Sequence, residues 1–220
     1  MTRKARSSAS QKHRHQGTAS RRPVPFVVAG IGLVVVGAAV IAVALALGQP
    51  TIPQPSTATT VVSGTPLPEY TAGAADPAVG MALPSLSNIG LDGAPMTISA
   101  DGRAKAIVVL AHWCPHCQAE VPRIVDWLAA NTVPNGVDIV ALTTNISPTQ
   151  TNYPPSEWLE REGWTVPTMI DDAASTGYLA LGGMNFPGWV FVGADGNVQL
   201  RTTGELDMDA FSQMLNQIAP

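Results

Sequence analysis

Cys114-Pro115-His116-Cys117 contains the only two cysteines among 220 residues. The pair follows directly on the apolar run Ala106-Ile107-Val108-Val109-Leu110-Ala111. Two thiols at this spacing, at the junction of a buried strand and a helix, suit dithiol/disulfide exchange. The first, Cys114, falls at the helix N-terminus, where unpaired backbone N–H groups and the helix dipole favour a thiolate, which makes it the attacking sulfur. Cys117, one turn further in, can close the disulfide and release a mixed-disulfide partner. Two cysteines are too few to staple a small scaffold, so the pair reads as active rather than structural.

The elements that position this dithiol come after a distinctive leader. Seven of the twelve Lys and Arg lie in the first 22 residues, whereas all sixteen acidic residues lie between Glu69 and Asp209. A basic tail can bind nucleic acid, but this one stops where the uncharged stretch Val24 to Leu47 begins. As a helix that stretch would rise roughly 36 Å, enough to cross a hydrocarbon core of ~30 Å, and the positive charge before it places the tail in the cytoplasm. The expected organisation is a basic cytoplasmic tail (1–23), a transmembrane helix (24–47), a flexible Pro/Thr/Ala-rich linker (48–76) and a folded extracytoplasmic domain (77–220), with no nucleic-acid partner. A cleaved export signal is the alternative, since Ala44-Leu45-Ala46 offers a small-x-small site and Ser20-Arg21-Arg22 weakly resembles a twin-arginine signal. Either way the dithiol faces a compartment where it can be oxidised.

Within 77–220 the run from Ala106 reads as a central strand, apolar on both faces and therefore covered by helices on both sides. Val121, Ile124, Val125 and Leu128 then recur at helical spacing, with Pro122 predicting a kink. Val137 to Thr143 is a second strand, 145–155 a polar loop, Ser156 to Glu162 a short helix and Met169-Ile170 a short strand. Gly188 to Val192 and Val198 to Thr202 flank the turn Ala194-Asp195-Gly196-Asn197 as a hairpin. Phe211, Met214, Leu215 and Ile218 mark a last helix, with Asp207 as its N-cap. This order predicts an α/β domain with a central mixed sheet flanked by helices.

These residues resemble the TlpA/ResA-like branch of the thioredoxin superfamily, the membrane-anchored thiol-disulfide oxidoreductases of bacteria. The likeness runs from about Val79-Gly80 to the C-terminus. It is carried by the segment from Val79 to Leu86, the Asp92-Gly93 turn, the block Ala111-His112-Trp113-Cys114-Pro115-His116-Cys117-Gln118-Ala119-Glu120-Val121-Pro122, the stretch Gly163 to Pro167, and Phe186-Pro187 before a strand. The resemblance implies a thioredoxin-like fold, a cis-proline facing the disulfide at Pro187 rather than Pro167, and Glu120 as the carboxylate near the dithiol. Val108 stands where thioredoxins have a buried Asp. The Pro-His dipeptide resembles the oxidising DsbA-like proteins instead, which leaves the direction of electron flow open.

The expected site therefore comprises Cys114, Cys117, His116 and Glu120, with Trp113, Phe186 and Pro187 binding the client protein. Imidazolium at His116 would stabilise a Cys114 thiolate and move the domain towards the oxidising end of a range of about −270 to −120 mV, a gap worth ~7 kcal/mol. Glu120 either relays a proton to Cys117 or acts as a first-turn acid on the helix dipole. His112 reads as packed at the strand end. No organic cofactor or metal is expected; the partners are thiol- or disulfide-bearing clients and a membrane redox protein that recharges the dithiol. A peroxidase of the peroxiredoxin kind would need Thr and Pro where Ala111 and Ile107 stand, and haem attachment would need His at 118, which is Gln. The rival from another class is a copper chaperone using both thiols and a histidine.

Overall fold

The computed structural model describes residues 58–220. The basic tail, the apolar span and the first part of the expected linker lie outside them, and among the described residues no helix is long and apolar enough to cross a membrane. In chain order the strands are β1 (Val61–Ser63), β2 (Ser85–Gly90), β3 (Pro95–Ile98), β4 (Ala104–Leu110), β5 (Val137–Thr143), β6 (Thr168–Ile170), β7 (Gly188–Val192) and β8 (Val198–Thr203). The helices are α1 (Pro115–Ala130), α2 (Pro155–Arg161), α3 (Thr176–Ala180) and α4 (Met208–Ile218).

Every residue of β4 is buried. Its edges are taken by β5 in parallel and by β7 antiparallel, so no backbone group of this central strand is left to water. The hydrogen-bonded order is β1-β2-β6-β5-β4-β7-β8, with β3 pairing β2. Side chains alternate across β4. Ala106, Val108 and Leu110 join Val121, Ile124 and Trp127 of α1 and Phe211 and Leu215 of α4 in one core. Ile107 and Val109 face the other way, into a core with Leu142, Met169, Val190, Ala180 and Leu181. Lys105 reaches the rim, where its Nζ meets Asp101 at 2.8 Å and Asp138 at 3.2 Å.

The elements read from periodicity are present with ends shifted by one residue where they differ, except that β4 begins at Ala104, two residues before the expected Ala106. A single helix, α1, runs through Pro122, whose neighbours Val121 and Ile124 are fully buried; packing there outweighs the missing N–H. Asp207 caps α4, accepting from the N–H groups of Asp209 and Ala210. The β2–β3 hairpin and α3 have no counterpart among the expected elements. Neither carries enough alternating or helical apolar pattern to be read from sequence.

The linker expected over 48–76 is corrected from residue 58 onwards. β1 pairs with residues 85–87 of β2, Leu67 is buried with its N–H on the Ala180 carbonyl, and the Tyr70 N–H reaches the Gly182 carbonyl. Beyond Leu67 in the core with Val62 and Tyr70 packed against it, backbone pairing and one charge hold the segment. Arg201 of β8, with a fully buried side chain, donates through Nε and Nη2 to Asp76 and through Nη1 to the carbonyls of Pro68 and Leu181.

Removing Asp76 would leave the Arg201 charge buried and unpaired. Asp76→Ala should therefore destabilise the protein by about 3–5 kcal/mol in urea unfolding. The hydrogen bond from Arg201, foremost, holds the Asp76 carboxyl below its ordinary range. Its contribution is thus present above the unfolded carboxylate pKa of ~3.9 and is lost as pH falls through the lower folded value. Equal stability of the two proteins at pH 7 would remove this account.

Candidate active site

Cys114 follows the loop that leaves β4 and is the N-cap residue of α1, with extended backbone angles of φ −74° and ψ 121°. Its carbonyl accepts the Gln118 N–H at 3.0 Å, as the first intrahelical bond requires. No side chain caps this helix and no acid lies in its first turn, so the Cys114 sulfur is the group presented to the positive end of the helix. Cys114 as a residue is 7% exposed, and its sulfur lies 3.7 Å from the Phe186 carbonyl, to which the thiol donates. Cys117 has no exposure at all, and both residues are free thiols. Burial, above all, pushes the Cys117 thiol up; the neighbouring Cys114 and the charge of Glu120 push the same way, against a hydrogen bond with the Ala111 backbone.

Glu120 follows Cys117 by one turn of α1 and is fully buried. Since α1 starts at Pro115, Glu120 lies beyond its first turn, and the dipole alternative does not apply. One carboxylate oxygen accepts the Leu206 N–H at 3.0 Å and the other accepts from Arg123 at 3.1 Å. Burial raises its carboxyl above the ordinary range, opposed by Leu206 and Arg123; Glu205 adds to the rise. The buried indole N–H of Trp189 lies near enough to steady the anion, without forming a hydrogen bond.

Phe186 and Pro187 lie opposite Cys114, joined by a cis peptide bond. Pro167 belongs elsewhere, at the head of β6 with its carbonyl on the Ala141 N–H. A second cis bond, Tyr153-Pro154, precedes α2. The half-buried Trp113 ring meets Phe186 edge-on at 6.0 Å and 90°, and its Nε1 donates to the Asn145 carbonyl at 2.8 Å. Tyr178 of α3 flanks Phe186 on another side at 5.2 Å, extending an aromatic surface away from the sulfurs.

His116 points outward. Its side chain is 70% exposed and its Nδ1 lies 2.7 Å from Glu205, on the loop between β8 and α4. His112 is buried, with Nδ1 on the Thr151 carbonyl at 2.7 Å and Nε2 accepting the Ser147 N–H at 3.1 Å. The copper-chaperone alternative needs a third ligand beside the thiols. Both His112 nitrogens are committed to the 145–152 loop, and His116 Nδ1 is committed to Glu205. Among the described residues no group of three or more His, Cys, Asp and Glu is arranged to hold a metal ion.

The structure thus brings together Cys114, Cys117, Glu120, Trp113, Phe186 and Pro187, and leaves His116 at the rim. It adds Arg123 and Glu205, which sequence reasoning missed. Arg123 at i+3 from Glu120 was available as a helical ion pair; Glu205, 85 residues on from Glu120, had no local signal.

The sequence model of the Redoxin family matches residues 78–218. No curated protein matches the chain in sequence. Among solved structures, a secreted disulfide oxidoreductase of Mycobacterium tuberculosis, homologous to E. coli DsbE, superposes with a TM-score of 0.50 at 22% identity, covering 60% of this chain and 94% of that one. A thiol:disulfide interchange protein of the thioredoxin family from Chlorobium tepidum gives 0.50 at 22%, covering 71% and 98%. StoA from Bacillus subtilis gives 0.51 at 16%, covering 63% and 98%. At these identities the likeness establishes the fold, a thioredoxin-like arrangement of mixed sheet and helices.

His112 carries a prediction of its own. Burial, more than its bond to Thr151, holds the imidazole below its ordinary pKa, so it folds neutral. Stability from this group is present above the unfolded value of ~6.5 and is lost as pH falls through the folded one. Thermal unfolding should therefore show the wild type losing stability below about pH 6.5 relative to His112→Gln. At pH 7 a His112→Leu variant should be less stable by ~1–3 kcal/mol, because the Ser147 N–H loses its acceptor.

Proposed function

Because the chain belongs to the Redoxin family and is a thiol-disulfide oxidoreductase of thioredoxin-like fold, we propose that it exchanges disulfides with extracytoplasmic client proteins through Cys114, held at the membrane by its N-terminal apolar segment. The observation that carries the reading is the asymmetry of the dithiol. Cys114 sits at the helix N-terminus against the Phe186 carbonyl, while Cys117 is sealed beneath it.

In the oxidising direction a client thiolate attacks the Cys114 sulfur of the Cys114–Cys117 disulfide, and Cys117 leaves, taking up a proton. A second client thiolate then attacks the client sulfur of the mixed disulfide and releases Cys114 as a thiolate at the helix end. In the reducing direction the Cys114 thiolate attacks a client disulfide. Cys117 then loses its proton, attacks Cys114, and the client leaves as a thiol. Glu120 exchanges that proton in this reading: it is buried on α1 one turn after Cys117, and its charge reaches the thiol. An extended client segment would lie along Phe186 and Pro187, with Trp113 and Tyr178 giving it an apolar surface.

The Pro-His dipeptide supports the oxidising direction, recharged by a membrane redox partner. A specific observation favours the reducing alternative, of the kind used in cytochrome c maturation. His116 pairs with Glu205, so an anion accompanies any imidazolium and weakens its pull on a Cys114 thiolate.

Cys117→Ala should accumulate mixed disulfides with clients through Cys114, visible on non-reducing gels, whereas Cys114→Ala should accumulate none. Trapping by the Cys114 variant instead would invert the assigned roles. Equilibration against glutathione should place the potential towards the oxidising end, and His116→Ser should lower it, about 30 mV for each ~1.4 kcal/mol of thiolate stabilisation removed. An unchanged potential in that variant would leave the reducing alternative.

A further inference from the structure

A bridge of charges runs from the surface to the buried carboxylate beneath the dithiol. Arg123 Nη1 lies 3.1 Å from Glu120 and 3.3 Å from Glu205, and its Nη2 donates to the Leu206 carbonyl. Glu120 takes the N–H of the same Leu206. Arg123 and Glu120 thus grip the two sides of one peptide residue, and the guanidinium is shared between a buried carboxylate and a half-exposed one. A planar fork reaches these acceptors from two nitrogens at fixed positions, whereas an ammonium offers all its donors from one point.

We propose that Arg123 is a positioning residue of the dithiol: it holds the Glu120 carboxylate in place as the proton acceptor for Cys117, and Glu205 competes with Glu120 for it. The proposal rests on the reading of Glu120 given above. Charged groups around the pair are few. On α1 they are His116, which reaches it through Glu205, and Asp126, which lines the surface cleft beside Arg123 together with Asp209 of α4. From the sheet, β7 brings the neutral Trp189 and β4 only apolar side chains. The two bridge partners act on Glu120 in opposite senses: Arg123 favours its anion and Glu205 disfavours it.

The step affected is resolution. The Cys117 proton passes to Glu120, the Cys117 thiolate attacks Cys114, the Cys114–Cys117 bond forms and the Cys114–partner bond breaks. The departing thiolate takes up a proton, so the partner sulfur is reduced and the Cys117 sulfur is oxidised, while Cys114 exchanges one disulfide bond for another. Glu120 must be ionised for this, so the rate falls on the acid side with its protonation.

The test is stopped-flow tryptophan fluorescence of the reduced full-length protein with saturating glutathione disulfide, reading the second phase against pH. Glu120→Gln should abolish the acid limb. Arg123→Met should shift that limb to higher pH and slow resolution near neutrality on the order of tenfold, part of the ~10²–10⁴ a positioned acid-base group contributes. Glu205→Gln, a surface change that leaves the Arg123–Glu120 contact intact, should shift it to lower pH. In the Glu120→Gln background neither change should alter the pH profile, whereas a structural effect would persist there. If Glu120→Gln keeps a wild-type limb, the Glu120 reading itself fails. If it abolishes the limb but Glu205→Gln leaves it unmoved and Arg123→Lys restores all that Arg123→Met loses, point charge suffices and the bridge proposal is overturned.

Discussion

The burial of β4 on both faces and along both edges is the constraint from which the rest of the structure follows. A strand with no exposed residue must have its backbone groups paired, which β5 and β7 do, and its side chains covered, which requires helices on either side. The chain leaving its C-terminal end can only emerge at the rim of the sheet, between a parallel neighbour and an antiparallel one. There it turns into α1, and the turn is where Cys114 lies. The position of the sulfur is a consequence of sheet burial rather than of anything in the Cys-Pro-His-Cys segment alone.

The same burial accounts for the difference between the two cysteines. Carrying Cys117 and Glu120 inward on one face of α1 removes two ionisable groups from water, and each is pushed towards its neutral form. The protein offsets this at Glu120 with hydrogen bonds and a shared guanidinium, all brought by α1 itself and the loop before α4. At Cys117 it supplies little besides one backbone contact. The outer sulfur therefore faces the positive end of the helix and the Phe186 carbonyl, while burial pushes the inner one towards its protonated form.

The surroundings of the dithiol are fixed by groups that look unrelated in sequence. His112 and Trp113 tie the 145–152 loop down on one flank, Phe186 closes the opposite side, and Tyr178 extends the apolar surface. His116, the residue most suggestive of redox tuning, instead faces solvent and a carboxylate.

Much was legible because the interactions concerned are local or periodic. The apolar run before Cys114, the helical spacing after it, the alternating strands around Asp195-Gly196 and the Asp207 cap each express themselves within a few residues. The Cys-x-x-Cys spacing likewise names its chemistry without a fold. The assignment of residues 58–76 to a tether failed because that segment is held by backbone pairing and by Arg201, a residue 125 positions beyond its partner Asp76, which no local pattern can announce. Glu205 meeting Arg123 and Phe186 meeting Cys114 are of the same kind. Sequence by itself determined where the dithiol lies and which elements carry it, since propensity and periodicity act along the chain. Only the tertiary structure decided which charges and carbonyls face the sulfurs, because those contacts arise when distant strands and loops close around one buried strand.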